Sequence, residues 1–247
     1  MARPAKKGKN RNPVNTRAAE RTYRAQLRKV ARQVGTLIEG LNPQDQASIP
    51  TISQTLRAYA DVLLPWARST AQQMLDAVNQ KDVEGWRVVS AEISRELREE
   101  IMNAPTGELL RQLLDEQVTL IRSIPLDAAQ RVHEMTLKGL EDSTRASVIA
   151  KEIGRSGKVA ESRAMLIART EVARTASALT EARALHIGSQ GYIWRTSGDG
   201  DVRESHREMN GRYVDWKKPP TLSDGTTTHA GQIYNCRCYP EPVIPKD

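Results

Sequence analysis

The chain has 247 residues, long enough for a real core and for two structural units. Only 38% of them are apolar and phenylalanine is absent, which suits an extended or partner-dependent helical protein better than a compact enzyme with a deep core. The net charge of +7 is local: residues 1–35 carry eleven Lys and Arg against one acid, Glu20, so that stretch is +10 and the other 212 residues sum to about −3.

No run approaches the roughly 18 apolar residues of a membrane span, so no transmembrane helix is expected. The N-terminal MARPAKKGKNRNP is basic without an apolar stretch behind it and does not read as a secretory signal. Two cysteines one residue apart do not make a secreted disulfide framework, so synthesis in a cytoplasm is expected.

Residues 1–16 contain Pro4 and Pro13 and no apolar periodicity, which predicts a disordered basic arm. Such an arm binds nucleic acid or an acidic protein surface through salt-sensitive attraction, with Arg3, Lys6, Lys7, Lys9, Arg11 and Arg17 as candidate DNA contacts. The plainer reading is a solvated tail. From Thr16 onward Tyr23, Leu27, Val30, Val34, Leu37 and Leu41 recur at steps of four and three, a heptad seam. The seam is short for a free-standing coiled coil, so a helix docked on a bundle or a partner is expected. Its other faces hold Arg and Lys and continue the arm as a basic stripe.

Asn42-Pro43 ends that helix. A second is predicted from Pro50 to Val78, kinked at Pro65. Asp82 reads as the cap of a third, carrying Trp86, Val89, Ile93, Leu97 and Ile101. A fourth runs from Leu109 to Ile124 and stops at Pro125, followed by shorter helices over 127–140 and 144–153. Gly154-Arg155-Ser156-Gly157-Lys158 reads as a loop, without the spacing or preceding strand of a phosphate-binding loop. A long helix from Val159 to His186 places Arg169, Glu171 and Arg174 at solvated, salt-bridging positions. Beyond Gly188 the composition changes, and residues 192–196, 211–216 and 234–239 read as strands. The fold expected is mainly α: a basic arm over 1–16, an elongated multi-helix part over 17–144, and a small α+β domain over 145–247.

The chemistry gathers in that last segment. His206, His229, Cys236 and Cys238 supply two nitrogens and two sulfurs, the donor set of a structural zinc, and on one strand Cys236 and Cys238 would face the same way. Alternatives are two reduced buried cysteines with locally bonded histidines, and a strained Cys236–Cys238 disulfide. Asp199, Asp201, Glu204 and Glu208 surround His206, which leaves a metal-assisted nuclease conceivable. No oxyanion loop or H-E-x-x-H motif accompanies them, since His133-Glu134 lacks the second histidine. The chain therefore reads as a non-enzyme.

Taken in order, Arg169-Thr170-Glu171, Trp194 and Thr196, Asp201 with Arg203 and His206, Gly211, and Asn235-Cys236-Arg237-Cys238 resemble the phage Mu F-like head morphogenesis family over roughly residues 145–240. The resemblance implies a minor head protein of a tailed bacteriophage, present in several copies per virion. It implies association with the portal or the major capsid protein inside the head, and a link with DNA packaging or delivery. Many relatives carry C-x-x-C where this chain has Arg203 and His206, and a histidine where it has Ile233. His229 therefore does not fall on the family's histidine. The expectation is a capsid-assembly protein with no cofactor or one structural zinc. The alternative is a metal-dependent, DNA-binding or nuclease-like effector delivered with phage DNA.

Overall fold

The computed structural model describes residues 14–89, 94–142 and 145–245. The helices expected from apolar periodicity are present, and a three-stranded antiparallel sheet lies near the C-terminus. The chain divides into two compact units that interleave in sequence rather than following one another. A helical unit comprises residues 19–75 and 111–169; a mixed unit takes the residues up to Ala18, then 76–110, then Thr170 onward.

In the helical unit, α1 (Arg17–Gly40) buries Tyr23, Leu27, Val30, Ala31, Val34 and Ile38. The expected heptad positions Leu37 and Leu41 are only half-buried, because the stripe drifts to Ile38 at the 3.6-residue period of a straight helix. A two-stranded coil would hold the 3.5 period; a helix packed among several neighbours does not. Two further helices replace the single one expected over Pro50 to Val78: α2 (Ile49–Val62) and α3 (Leu64–Val89). The break falls at Leu63, upstream of Pro65, where the proline ring has no room beside the carbonyl four residues back. Pro65 itself sits in the first turn of α3, where a missing N–H costs nothing.

Pro125 does not stop its helix. The fifth helix, α5 (Gly107–Glu141), runs through it and absorbs the shorter helix expected over 127–140, while the one expected over 144–153 is present as a separate helix. Ile121 and Ile124 before the proline, and Ala129 and Val132 after it, are fully buried. Packing on both sides outweighs the roughly 3 kcal/mol that an interior proline costs. The expected loop at 154–158 is likewise a single-residue break between α6 (Ala146–Gly154) and α7 (Ser156–His186). Gly157 serves packing rather than turning: a Cβ there would lie 2.9 Å from the Gly35 Cα.

In the mixed unit Asp82 caps nothing. It lies inside α3, fully buried, and accepts hydrogen bonds from Thr180 Oγ1 and Arg183 Nε, both at 2.8 Å. Arg183 spends its remaining donors on the Ile101 carbonyl at 3.0 Å and Asn79 Oδ1 at 3.2 Å. Burial pushes the Asp82 carboxyl up, against the pull of Thr180 and Arg183. The helix that Asp82 was expected to open is divided: Trp86 and Val89 belong to α3, and Leu97 and Ile101 to α4 (Arg95–Met102), capped by Ser94, whose hydroxyl accepts from the Leu97 N–H. Ile93, assigned to it from sequence, lies outside the described residues.

The sheet order is β2–β1–β3, with β1 (Gly191–Arg195) central. Tyr192 and Trp194 point from β1 into a core that includes Trp86, Val214 and Trp216. The second strand, β2 (Tyr213–Asp215), falls within the segment expected. The third does not: β3 is Tyr239–Pro242, and residues 234–238 form an irregular turn. Pro240 and Pro242 are tolerated because β3 is an edge strand.

Candidate functional site

The irregular turn carries the cysteines. Asn235 adopts a left-handed backbone, φ 56°, and its N–H is received by Thr170 Oγ1 on α7 at 3.1 Å. Upstream, Gly231 (φ 81°) packs so tightly that a Cβ would meet Ser177 of α7 and the Cys238 carbonyl, so no side chain fits there. These constraints fold Cys236 and Cys238 toward one point, which the expected strand would have done differently. The correction matters because two side chains of a tight turn can converge, whereas on a strand they stand parallel.

His206 meets them from α8 (Glu204–Arg207), a single turn of helix. Its Nδ1 lies 3.4 Å from Cys236 Sγ and 3.4 Å from Cys238 Sγ. All three residues are buried, and their donor atoms lie within 4.8 Å of one another. The Cys238 N–H points at Cys236 Sγ, 3.4 Å away. Trp194 stands edge-to-face against the His206 ring, centroids 5.5 Å apart, and its buried indole N–H has no hydrogen-bond partner among the described residues. His206 Nε2 is buried and has no hydrogen-bond partner among the described residues. The hydrogen bond from the Cys238 thiol, with help from His206, holds the Cys236 thiol well below the ordinary thiol range. That same hydrogen bond, together with burial, pushes Cys238 up.

His229 does not join them. Its Nδ1 shares a hydrogen bond with the Tyr192 hydroxyl at 3.1 Å, and its ring lies beside that of Trp216, centroids 6.4 Å apart. Burial lowers its pKa, so the neutral imidazole is favoured. It ties the 217–230 loop to β1, and of the four expected ligands the structure brings together three.

Around the cluster, the motif residues act as a cage. Arg203 donates to the Tyr234 carbonyl at 3.0 Å and stacks its guanidinium 4.7 Å from that ring's centroid. Arg237, between the cysteines, turns outward to Asp199 at 3.0 Å and Asp201 at 3.2 Å. Those two acids are thus engaged with Arg237. Gly211 (φ 85°) turns the chain into β2, beside Asn210, whose side-chain oxygen accepts from the Thr196 N–H at 3.1 Å. Glu171 is buried rather than solvated and pairs with Arg174 at 3.1 Å, whereas Arg169 is half-buried and reaches Glu20 at 3.8 Å. Sequence reasoning missed the Ser205–Asp224 hydrogen bond of 2.7 Å, which with the Thr226 N–H lowers the Asp224 pKa to about 2. The Asp224-Gly225 turn was a signal for a loop, and nothing in it marked the partner. Of the expected DNA contacts, Arg3, Lys6, Lys7, Lys9 and Arg11 lie outside the described residues, while Arg17 is exposed at the start of α1.

Comparison with known proteins agrees with this placement of the motifs. Residues 130–240 match the model of the family described as phage Mu protein F like protein, starting within α5, 15 residues before the boundary expected from sequence. Over 145 residues the chain is 33% identical to an uncharacterized protein of Haemophilus influenzae, covering 58% of this chain and 32% of that protein. Over 155 residues it is 28% identical to the NAD(+)–arginine ADP-ribosyltransferase EFV of Enterococcus faecalis, covering 58% of this chain and 31% of that protein. The chain thus spans about a third of the length of these curated relatives. No solved structure matches. No described helix is long and apolar enough to cross a membrane. Through residues 130–240, this chain is similar to the phage Mu protein F-like family.

Proposed function

We propose that the chain is a minor head protein, present in several copies per virion, that associates with the portal or the inner capsid during phage head assembly while its basic N-terminal arm contacts DNA. The observation that carries this reading is the family match over 130–240, in which the motif residues Thr170, Trp194, Arg203 and Arg237 converge on one turn and stabilise it. These contacts hold one turn of the mixed unit in place, which suits a structural role. The arm's charge continues onto α1, where Arg21, Lys29 and Arg32 are exposed. A stripe of this kind suits phosphate contacts without base readout.

Co-expression with the cognate portal protein tests the association. Comigration with the portal ring on size exclusion is the expected outcome, and clean separation at low salt would overturn it. For the arm, DNA affinity should fall steeply as salt rises and should be lost on deleting residues 1–16; unchanged binding in that deletion refutes the arm's role.

The likeness to part of an ADP-ribosyltransferase favours a second reading, in which this segment belongs to an effector delivered with the phage DNA. Labelled NAD(+) incubated with the pure chain and host lysate separates the two. Transfer of label to protein would support the effector, as would plasmid nicking that vanishes in His206→Ala.

A further inference from the structure

We propose that His206 Nδ1, Cys236 Sγ and Cys238 Sγ hold one zinc ion whose fourth ligand is a water rather than a protein side chain. Two sulfurs and an imidazole nitrogen are the donor set that zinc prefers. In a tetrahedral zinc site, bonds of about 2.3 Å to sulfur and 2.0–2.1 Å to nitrogen place neighbouring nitrogen and sulfur ligands roughly 3.5 Å apart. Both nitrogen–sulfur separations here are 3.4 Å. Both nitrogen–sulfur separations therefore match two edges of such a tetrahedron, and all three donor atoms lie within 4.8 Å of one another.

Charge points the same way. Two thiolates, one neutral imidazole and Zn²⁺ sum to zero, so the complex can be buried without an uncompensated charge. The surroundings supply a donor to sulfur: the Cys238 N–H toward Cys236. Donors of that kind orient thiolate ligands and moderate their basicity.

No fourth ligand comes from the described residues. Among the described residues, no other His, Cys, Asp or Glu joins the group. His229 is held by Tyr192, Asp224 by Ser205 and Thr226, and Asp199 and Asp201 by Arg237. The remaining corner is left to solvent, a coordination of three protein ligands plus water. Zinc would also join α8, a helix of only four residues, to the 234–238 turn. This site stands or falls independently of portal association.

The test uses the full chain. Native mass spectrometry after purification under reducing conditions should give one zinc per chain, and Cys236→Ser should weaken retention at least tenfold in competition with a chromophoric chelator. Zinc-edge X-ray absorption on the wild-type chain should fit two sulfurs, one imidazole and one further light atom. A chain that neither retains nor takes up stoichiometric zinc overturns the site. A fit requiring a second imidazole overturns the ligand set, since only His229 could supply it from this segment. Because the absorption measurement needs no variant, it decides the matter even if Cys236→Ser fails to fold.

Discussion

The two units are held together by different means. In the helical unit the work is spread over apolar stripes, with Leu27, Val34, Ile52, Leu56 and Ile121 fully buried. Its ion pairs, Arg28–Glu161, Arg122–Asp61 and Arg163–Asp127, lie at the half-exposed rim. In the mixed unit, a few polar side chains meet specific partners with little solvent: Asp82 with Thr180 and Arg183, Tyr192 with His229, and His206 with the cysteines. An apolar stripe constrains size and spacing, so many residues satisfy it. A buried polar contact constrains identity, because a missing partner leaves an unsatisfied group. The difference explains why the recognisable motifs begin near Arg169, while the helical residues before them carry only periodicity.

The largest expected break in this contrast is Asp82→Ala. It strands the Arg183 guanidinium in a buried site, and losing one partner of such a pair costs about 3–5 kcal/mol. Urea denaturation should show that loss, and a change under 1 kcal/mol would mean that solvent reaches Arg183. In the helical unit the comparable lesion is steric: Gly157→Ala drives a Cβ against the Gly35 backbone and should cost about 1–3 kcal/mol, less what alanine gains in helix propensity. An increase in melting temperature would show that the two helices can separate freely.

A smaller effect follows from His229. Its folded-state pKa lies below its unfolded value of 6.5, so the unfolded chain binds that proton more readily. The resulting stability is fully present above pH 6.5 and declines as pH falls from there through the folded value. Denaturation midpoints measured between pH 8 and pH 5 should drop, and His229→Gln should flatten that part of the curve. An identical slope in the variant assigns it to another group. The smallest expected change is Arg28→Ala, which removes a half-exposed pair with Glu161 worth on the order of 0–1 kcal/mol.

Much of the architecture was legible because it rests on local pattern. The apolar spacing of α1, the turn at Asn42 and the alternation of 192–196 each depend on residues close in sequence. Pro125, Asp82 and Gly157 misled for the opposite reason. Each resembles a punctuation mark locally, and each is absorbed by a distant partner: the packing around Ile121 and Ile124, the Arg183 side chain, and the Gly35 backbone. At the site, His206, Cys236 and Cys238 were correctly grouped by chemistry, and the structure brings them together. His229 was grouped by residue type alone, and only the fold reveals that Tyr192 claims it. The strand expected at 234–239 failed because Asn235 and Gly231 impose positive φ, which alternation in sequence does not register.

A role in head assembly is tested most directly by electron microscopy of particles from a phage deleted for this chain. Empty or misassembled heads are predicted, with filled heads restored by the wild-type chain supplied in trans. Normal numbers of DNA-filled heads in the deletion would contradict it.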